Sequence, residues 1–353
     1  MTTITKETYG TTKKGETVHR YALKNAMGME VHILTYGGII AHLAVPDRDG
    51  TLQNVVLNLD SLAGYEAGHP YFGALIGRYG NRIANAQFTL EGTTYTLAAN
   101  NGPNNLHGGE EGFDKKVWEV VETSSGEQAT LGLRYLSPDM EEGFPGNLDV
   151  RVTYTLTAKN TLEVAYTATT DKSTVVNLTQ HAYFNLTGDF TKSVMGHQLQ
   201  LRADHVVPVN PNLIPTGRLM EVAGTPFDFR TQKAIGRDIG ADHGQLRVAG
   251  GYDHCWALDN PEKQLRSIAV LTEPVTGRVM EVATTEPGVQ LYTGNFLDGT
   301  LPIPGGGHYG QRSGLCLETQ HYPDSPNQPQ FPSVVLRPGE RYFSKTVFGF
   351  ATQ

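Results

Sequence analysis

Asp149-Val150-Arg151-Val152-Thr153-Tyr154-Thr155-Leu156 alternates polar and apolar side chains without a break. Successive residues of an extended chain point to opposite faces, so Val150, Val152, Tyr154 and Leu156 share one side. After a turn at Lys159-Asn160 the same period returns in Leu162, Val164, Tyr166 and Ala168. The two runs predict an antiparallel hairpin with one buried face. Phe88-Thr89-Leu90, Glu91-Gly92 and Tyr95-Thr96-Leu97 read as a second hairpin. Val31-His32-Ile33 and residues 117–121, 199–203, 279–282 and 333–336 add short strand candidates. Only residues 231–239 suggest a short helix. The 40 glycines and 19 prolines are spread along the chain as punctuation between strands. Neither a linker nor a shift of composition nor a repeat divides residues 1–353. The expectation is a single all-β domain of two packed antiparallel sheets with long functional loops.

Composition narrows the function. Of the 353 residues, 39% are hydrophobic and 18% charged, which suits a folded core rather than a disordered chain. A net charge of −8 argues against nucleic acid or an anionic membrane as partner. Cys255 and Cys316 form no disulfide framework and lack CxxC spacing. No run approaches the roughly 18 apolar residues that span a bilayer, and MTTITKETYG has no signal-peptide character. The reading is a cytoplasmic protein.

Polar residues cluster in five segments: Gly77 to Ile83, Asn104 to Gly109, Asn177 to Leu186, Tyr252-Asp253-His254 and Leu315 to Gln320. Taken singly each is weak, since a histidine in a β protein is more often structural than catalytic. Glu318 is more telling, because Leu315-Cys316-Leu317-Glu318 puts a carboxylate in an apolar strand. A buried carboxylate needs a partner or a task. An ion pair with Arg82 is the structural alternative.

Together the segments resemble the aldose 1-epimerase family. The matching stretches are GRYGNRIANAQFTLEGTTYTLAANNGPNNLHGG from Gly77, VVNLTQHAYFNLTG from Val175, YDHCW from Tyr252, EPGVQLYTGNFLDG from Glu286, LCLETQHYPDSPNQPQFP from Leu315 and LRPGERY from Leu336. They run in order over nearly the whole chain. The resemblance implies a galactose-mutarotase-like β-supersandwich of large antiparallel sheets with an open sugar cleft. It implies Glu318 as general base and His181 as general acid. His107 would bind the sugar and polarise its ring oxygen, and Asn81, Arg82, Asp253 and Gln290 would bind hydroxyls. Gln180 stands where relatives often carry Asn, a departure that touches no catalytic role.

The residue types suit the chemistry this implies. Opening a pyranose removes a proton from the anomeric hydroxyl and delivers one to the ring oxygen, work for a carboxylate and an imidazole. Rotation about C1–C2 and reclosure then give the other anomer. No redox step or covalent intermediate enters, so no cofactor is expected. The partner is a small sugar, with the protein a monomer or weak homodimer. Tyr183 or Trp256 could stack on the sugar's apolar face, and Trp256 could alter sugar preference.

Four rivals are weighed. A phosphosugar epimerase would use Arg78 and Arg82 for the phosphate. A glycosidase using Glu318 and Asp253 leaves His181 and His107 unexplained. A binding protein without catalysis has no need of an acid–base pair. A metal enzyme is disfavoured, because the twelve histidines show no HxH or HExxH spacing. Asp253 and His254, adjacent on a strand, would also face opposite ways.

Overall fold

A computed structural model describes residues 1–258 and 264–353. The hairpin read from the alternation is present, with strand Leu148–Thr157 antiparallel to Thr161–Thr170. Its register pairs Val150 with Ala168, Val152 with Tyr166, Tyr154 with Val164 and Leu156 with Leu162. Each of these side chains is at most 2% exposed. Period two therefore fixed the register: a slip of one residue would bring Arg151 and Thr153 into the core. Asn160 closes the turn in the left-handed region at φ 55°, which asparagine tolerates. The second hairpin pairs Gln87–Leu90 with Thr93–Thr96. Its turn residues Glu91 and Gly92 both have positive φ, as a tight two-residue connection requires.

The first hairpin lies inside a nine-stranded antiparallel sheet. In order, this sheet runs Glu119–Ser124, Gln128–Ser137, Leu148–Thr157, Thr161–Thr170, Tyr342–Thr352, Arg278–Thr284, Arg266–Thr272, Gln198–Leu201 and Lys233–Ala234. The C-terminal strand thus sits at its centre. A six-stranded sheet orders Tyr183–Phe184, Leu315–Gln320, Gly288–Tyr292, Asp253–Ala257, His205–Val207 and Met220–Glu221. A five-stranded meander, Thr3–Thr11 to Leu52–Asn54, completes the large sheets. One apolar cluster joins all three, running from Val31 and Leu43 through Val152 and Tyr166 to Leu291 and Leu317. Three large sheets, not two, share the core.

Residues 231–239 are not an α-helix. Lys233–Ala234 is an edge strand of the large sheet, followed by one 3₁₀ turn, Ile235–Arg237. The buried Lys233 ammonium donates to the Pro226 carbonyl and to Asp238, both at 2.7 Å, and tertiary contacts set this backbone. Among the described residues the α-helices are Leu62–Glu66 and Gly244–Ala249, too short to show a helical period. The other strand candidates are present with changed bounds: 31–33 and 279–282 lie inside the longer strands Glu30–Leu34 and Arg278–Thr284, 199–203 becomes Gln198–Leu201, 333–336 shrinks to Val335–Leu336, and 117–121 becomes Glu119–Ser124.

Candidate active site

Strand pairing in the six-stranded sheet assembles half of the site. Directly opposed residues share a face, and the register opposes Gln290 to Glu318, Gln290 to Cys255, Asp253 to Tyr292, and Cys316 to both Tyr292 and Tyr183. Asp253, Gln290, Glu318, Cys316 and Tyr183 therefore lie on one side. Val289, Leu291, Leu315, Leu317 and Trp256 lie on the other, within the apolar core. Gln290 Nε2 donates to Asp253 Oδ1 at 2.7 Å, fixing that carboxylate beside Glu318.

Loops bring the rest. His181 follows the two-residue strand Thr179–Gln180, and its backbone is held at both ends: its N–H donates to the Ala74 carbonyl (2.9 Å) and its carbonyl accepts from Gly73 (3.1 Å). His107 follows strand Asn105–Leu106, which pairs with Arg82–Ile83. Its N–H donates to the Asn81 carbonyl at 3.0 Å, and the Asn81 N–H donates back to His107 Nδ1 at 3.1 Å. Both residues sit at positive φ, 52° and 62°. Gly108 permits this turn, since a Cβ there, at φ 91°, would lie 2.1 Å from the Gly77 carbonyl oxygen.

The result is a tight polar centre. His181 Nε2 lies 3.6 Å from Glu318 Oε2, and the His107 and His181 rings are edge-on at 5.1 Å. Glu318 is 2% exposed and His181 4%. Burial, with the charge of Asp253 adding to it, raises the Glu318 pKa well above the carboxylate range. Burial lowers His181 to about 4, and burial, with the nearby His181 and Arg82, lowers His107 well below the imidazole range. Among the described residues, Glu318 Oε2 and Gln290 Oε1 have no hydrogen-bond partner. Buried acceptors left unpaired are costly in a finished core and expected where a ligand supplies donors.

Arg82 is not the ion-pair partner of Glu318: its Nε donates to Asn101 Oδ1 at 3.1 Å, and its charge acts on Glu318 only at longer range. Arg78, wanted by the phosphosugar reading, is buried elsewhere. It donates to Ser137 Oγ and to the carbonyls of Ser137, Pro138, Pro145 and Gly146. The His254 ring lies on the face opposite the Asp253 carboxylate: its Nδ1 accepts from the Asp253 backbone N–H at 3.2 Å and its Nε2 lies 3.1 Å from Gln245 Oε1.

Ligating atoms of His107, His181 and Glu318 all lie within 4.8 Å of one another, a grouping that sequence spacing did not reveal. Their hydrogen bonding does not suit a metal. A coordinating imidazole offers one bare nitrogen and donates N–H from the other to an acceptor. In His107 the Asn81 N–H occupies Nδ1, so the neutral ring carries its proton on Nε2. The centre thus presents a donor, His107, beside an acceptor, Glu318, as sugar hydroxyls require.

Two aromatic expectations need correction. Trp256 is wholly buried on the core face, its Nε1–H donating to the Phe227 carbonyl at 3.2 Å and its ring packing against Phe227, Phe229 and Tyr252. Strand alternation excludes it from the site, since Asp253 three residues earlier points the other way. Tyr183 is on the site face but only 1% exposed, packed 5.1 Å from the His181 ring and 5.0 Å from Phe72. It supports His181 from behind. The half-buried ring beside the histidines is Tyr71, 4.5 Å from His107 and 5.6 Å from His181, with φ 60°. No sequence signal pointed to Tyr71, nor to Cys316, whose Sγ lies 3.5 Å from His181 Nδ1. A surface hollow of about 720 Å³, lined by Met1, Gly126 and Lys159 among others, holds neither an imidazole nor a buried carboxylate.

A model described as aldose 1-epimerase matches residues 19–349. The galactose mutarotase of Bos taurus is 45% identical over 352 residues, 99% of each chain. The aldose 1-epimerase of Escherichia coli (strain K12) is 40% identical over 349 residues, 98% of this chain and 99% of that one. The crystal structure of galactose 1-epimerase from Lactobacillus acidophilus NCFM superposes with a TM-score of 0.88 at 29% identity, covering 100% of this chain and 99% of that chain. By similarity over its full length, the chain belongs to the aldose 1-epimerase family.

Proposed function

We propose that this single domain, residues 1–353, interconverts the α and β anomers of free aldoses such as galactose and glucose by acid–base ring opening. The family makes the protein an enzyme, an isomerase acting on carbohydrates. Glu318 takes the proton of the anomeric hydroxyl and His181 delivers one to the ring oxygen. His107 Nε2–H, Asn81, Arg82, Asp253 and Gln290 bind the remaining oxygens, with Tyr183 acting through His181.

The observation that carries this reading is the buried Glu318–His181 pair at 3.6 Å with Oε2 unpartnered. That gap exceeds a hydrogen bond, so a substrate oxygen can exchange protons with each group. The pair holds one catalytic proton. Before opening it is carboxylate and imidazolium; after opening, carboxylic acid and neutral imidazole. Burial favours the second, uncharged arrangement, which assists the opening half of the cycle. Rotation about C1–C2 and reclosure return both protons, so the enzyme is restored without a cofactor. The partner is the small sugar substrate, and the protein acts in this reading as a monomer or weak homodimer. Two free thiols, Cys255 and Cys316, suit the cytoplasm.

The test is one NMR tube holding free α-galactose and methyl α-galactoside. The free sugar should drift to its equilibrium anomer mixture faster than in buffer, and the glycoside, with no proton on O1, should stay unchanged. Released methanol would indicate a glycosidase. Drift no faster than in buffer would leave only a binding protein.

A further inference from the structure

The rings of His107, Tyr183 and Tyr71 pack on the His181 imidazole at 5.1, 5.1 and 5.6 Å. His107 and Tyr183 are buried, whereas Tyr71 is partly exposed. The Tyr71 ring also meets His107 edge-on at 4.5 Å, so one side chain spans both imidazoles. Its backbone stands at φ 60°, a left-handed conformation that bulky residues rarely adopt and that the surroundings must impose. The turn is fixed to His181 itself. Tyr71 N–H donates to the His69 carbonyl at 2.9 Å, and the Tyr71 carbonyl accepts from Ala74 at 3.1 Å. Gly73 N–H donates to the His181 carbonyl, and the Ala74 carbonyl accepts from His181 N–H.

We propose that Tyr71 is a positioning residue whose ring stands between the two imidazoles and water, keeping the Glu318–His181 pair at a single proton in mildly acidic solution. This rests on His181 being the acid. Water beside an imidazole stabilises its cation, and an apolar ring in its place favours the neutral form. A second proton on the pair would leave Glu318 unable to take the anomeric proton. Several groups face His181: Glu318 and Cys316 from one strand, Tyr183, His107, and Tyr71 with His69 from the turn. The charge of Arg82 acts on His107, and that of Asp253 on Glu318. Removing the Tyr71 ring leaves all the others in place, so it changes solvation alone. Burial, with the charge of Asp114, raises the Tyr71 phenol above its usual range, so the hydroxyl stays protonated and the ring is its working part.

The experiment compares Tyr71→Gly with Tyr71→Phe in the intact protein. Glycine suits positive φ, so the ring is lost and the turn kept. Should that variant not fold, Tyr71→Asn, which also tolerates this conformation, replaces it. Ring ¹⁵N NMR follows His181 from pH 5 to 8, its signals identified by their loss in His181→Asn. In the wild type and in Tyr71→Phe, His181 should stay neutral and kcat/KM should change less than about twofold across this range. In Tyr71→Gly, His181 should titrate inside the range, toward its ordinary value of about 6.5. With a midpoint near 6, kcat/KM at pH 5 should be about tenfold below its value at pH 8. Tyr71→Gly with His181 still neutral at pH 5 overturns the proposal. So does Tyr71→Phe shifting the profile as far as Tyr71→Gly, since the hydroxyl would then be at work. A moved His181 titration with full turnover in His181→Asn would uphold the shield and remove the acid assignment beneath it.

Discussion

Glu318→Gln should move activity and stability in opposite directions. The amide is nearly isosteric and still accepts a hydrogen bond through its oxygen, but it cannot take the anomeric proton. Loss of a positioned base costs about 10² to 10⁴ in kcat, roughly 3 to 5 kcal/mol of barrier. KM should change little, because the base acts chiefly in the transition state. Folding responds the other way. Glu318 is 2% exposed, its Oε2 has no partner, and Asp253 adds a like charge. Because its pKa is raised in the folded state, the folded chain holds this proton more tightly than the unfolded chain. Stability is therefore lost as pH rises above the unfolded carboxylate value, and at pH 7 the group is a net burden. Removing it should return on the order of 1 to 3 kcal/mol, an increase of a few °C in Tm. Polarimetry on fresh α-galactose gives kcat and KM, and thermal unfolding at pH 7 gives Tm. Near-wild-type kcat would move the base elsewhere, with Asp253 the first suspect. A lower Tm would refute the account of Glu318 as an unpartnered buried acid.

Three further outcomes are expected. His107→Asn keeps an acceptor near the Nδ1 position for the Asn81 N–H but removes the Nε2–H donor, so KM should rise and kcat fall, each by about tenfold; a change in neither would remove His107 from sugar binding. The bell expected from an ordinary imidazole should widen. With His181 lowered to about 4 and Glu318 raised, kcat/KM should fall on the acid side only as the pair gains a second proton near pH 4; an acid limb centred near 6.5 would contradict the buried pair. Trp256→Phe should leave the galactose-to-glucose preference unchanged while destabilising the fold by about 1 to 3 kcal/mol through a cavity and a lost bond to the Phe227 carbonyl; a changed preference at unchanged Tm would place Trp256 back in the cleft.

The sequence by itself determined the local patterns and the residue types. Alternation over 149–156 and 162–168 set the faces and register of the central hairpin, because strand orientation repeats every two residues whatever lies above or below. The motifs around Asn81, His107, His181, Asp253, Gln290 and Glu318 were legible because each is a short run of neighbours. Tertiary structure alone decided which of them meet, since positions 81 and 318 come together only through sheet pairing and loop packing. It decided that Trp256 faces the core, that Arg78 is spent largely on backbone carbonyls, that Tyr71 stands beside His107 and His181, and that Cys316 stands beside His181. It also decided the protonation chemistry. Burial raises Glu318 and lowers His181, and the Asn81 N–H sets the proton of His107. Desolvation and hydrogen-bond partners belong to the three-dimensional surroundings of a group, which no stretch of neighbouring residues encodes.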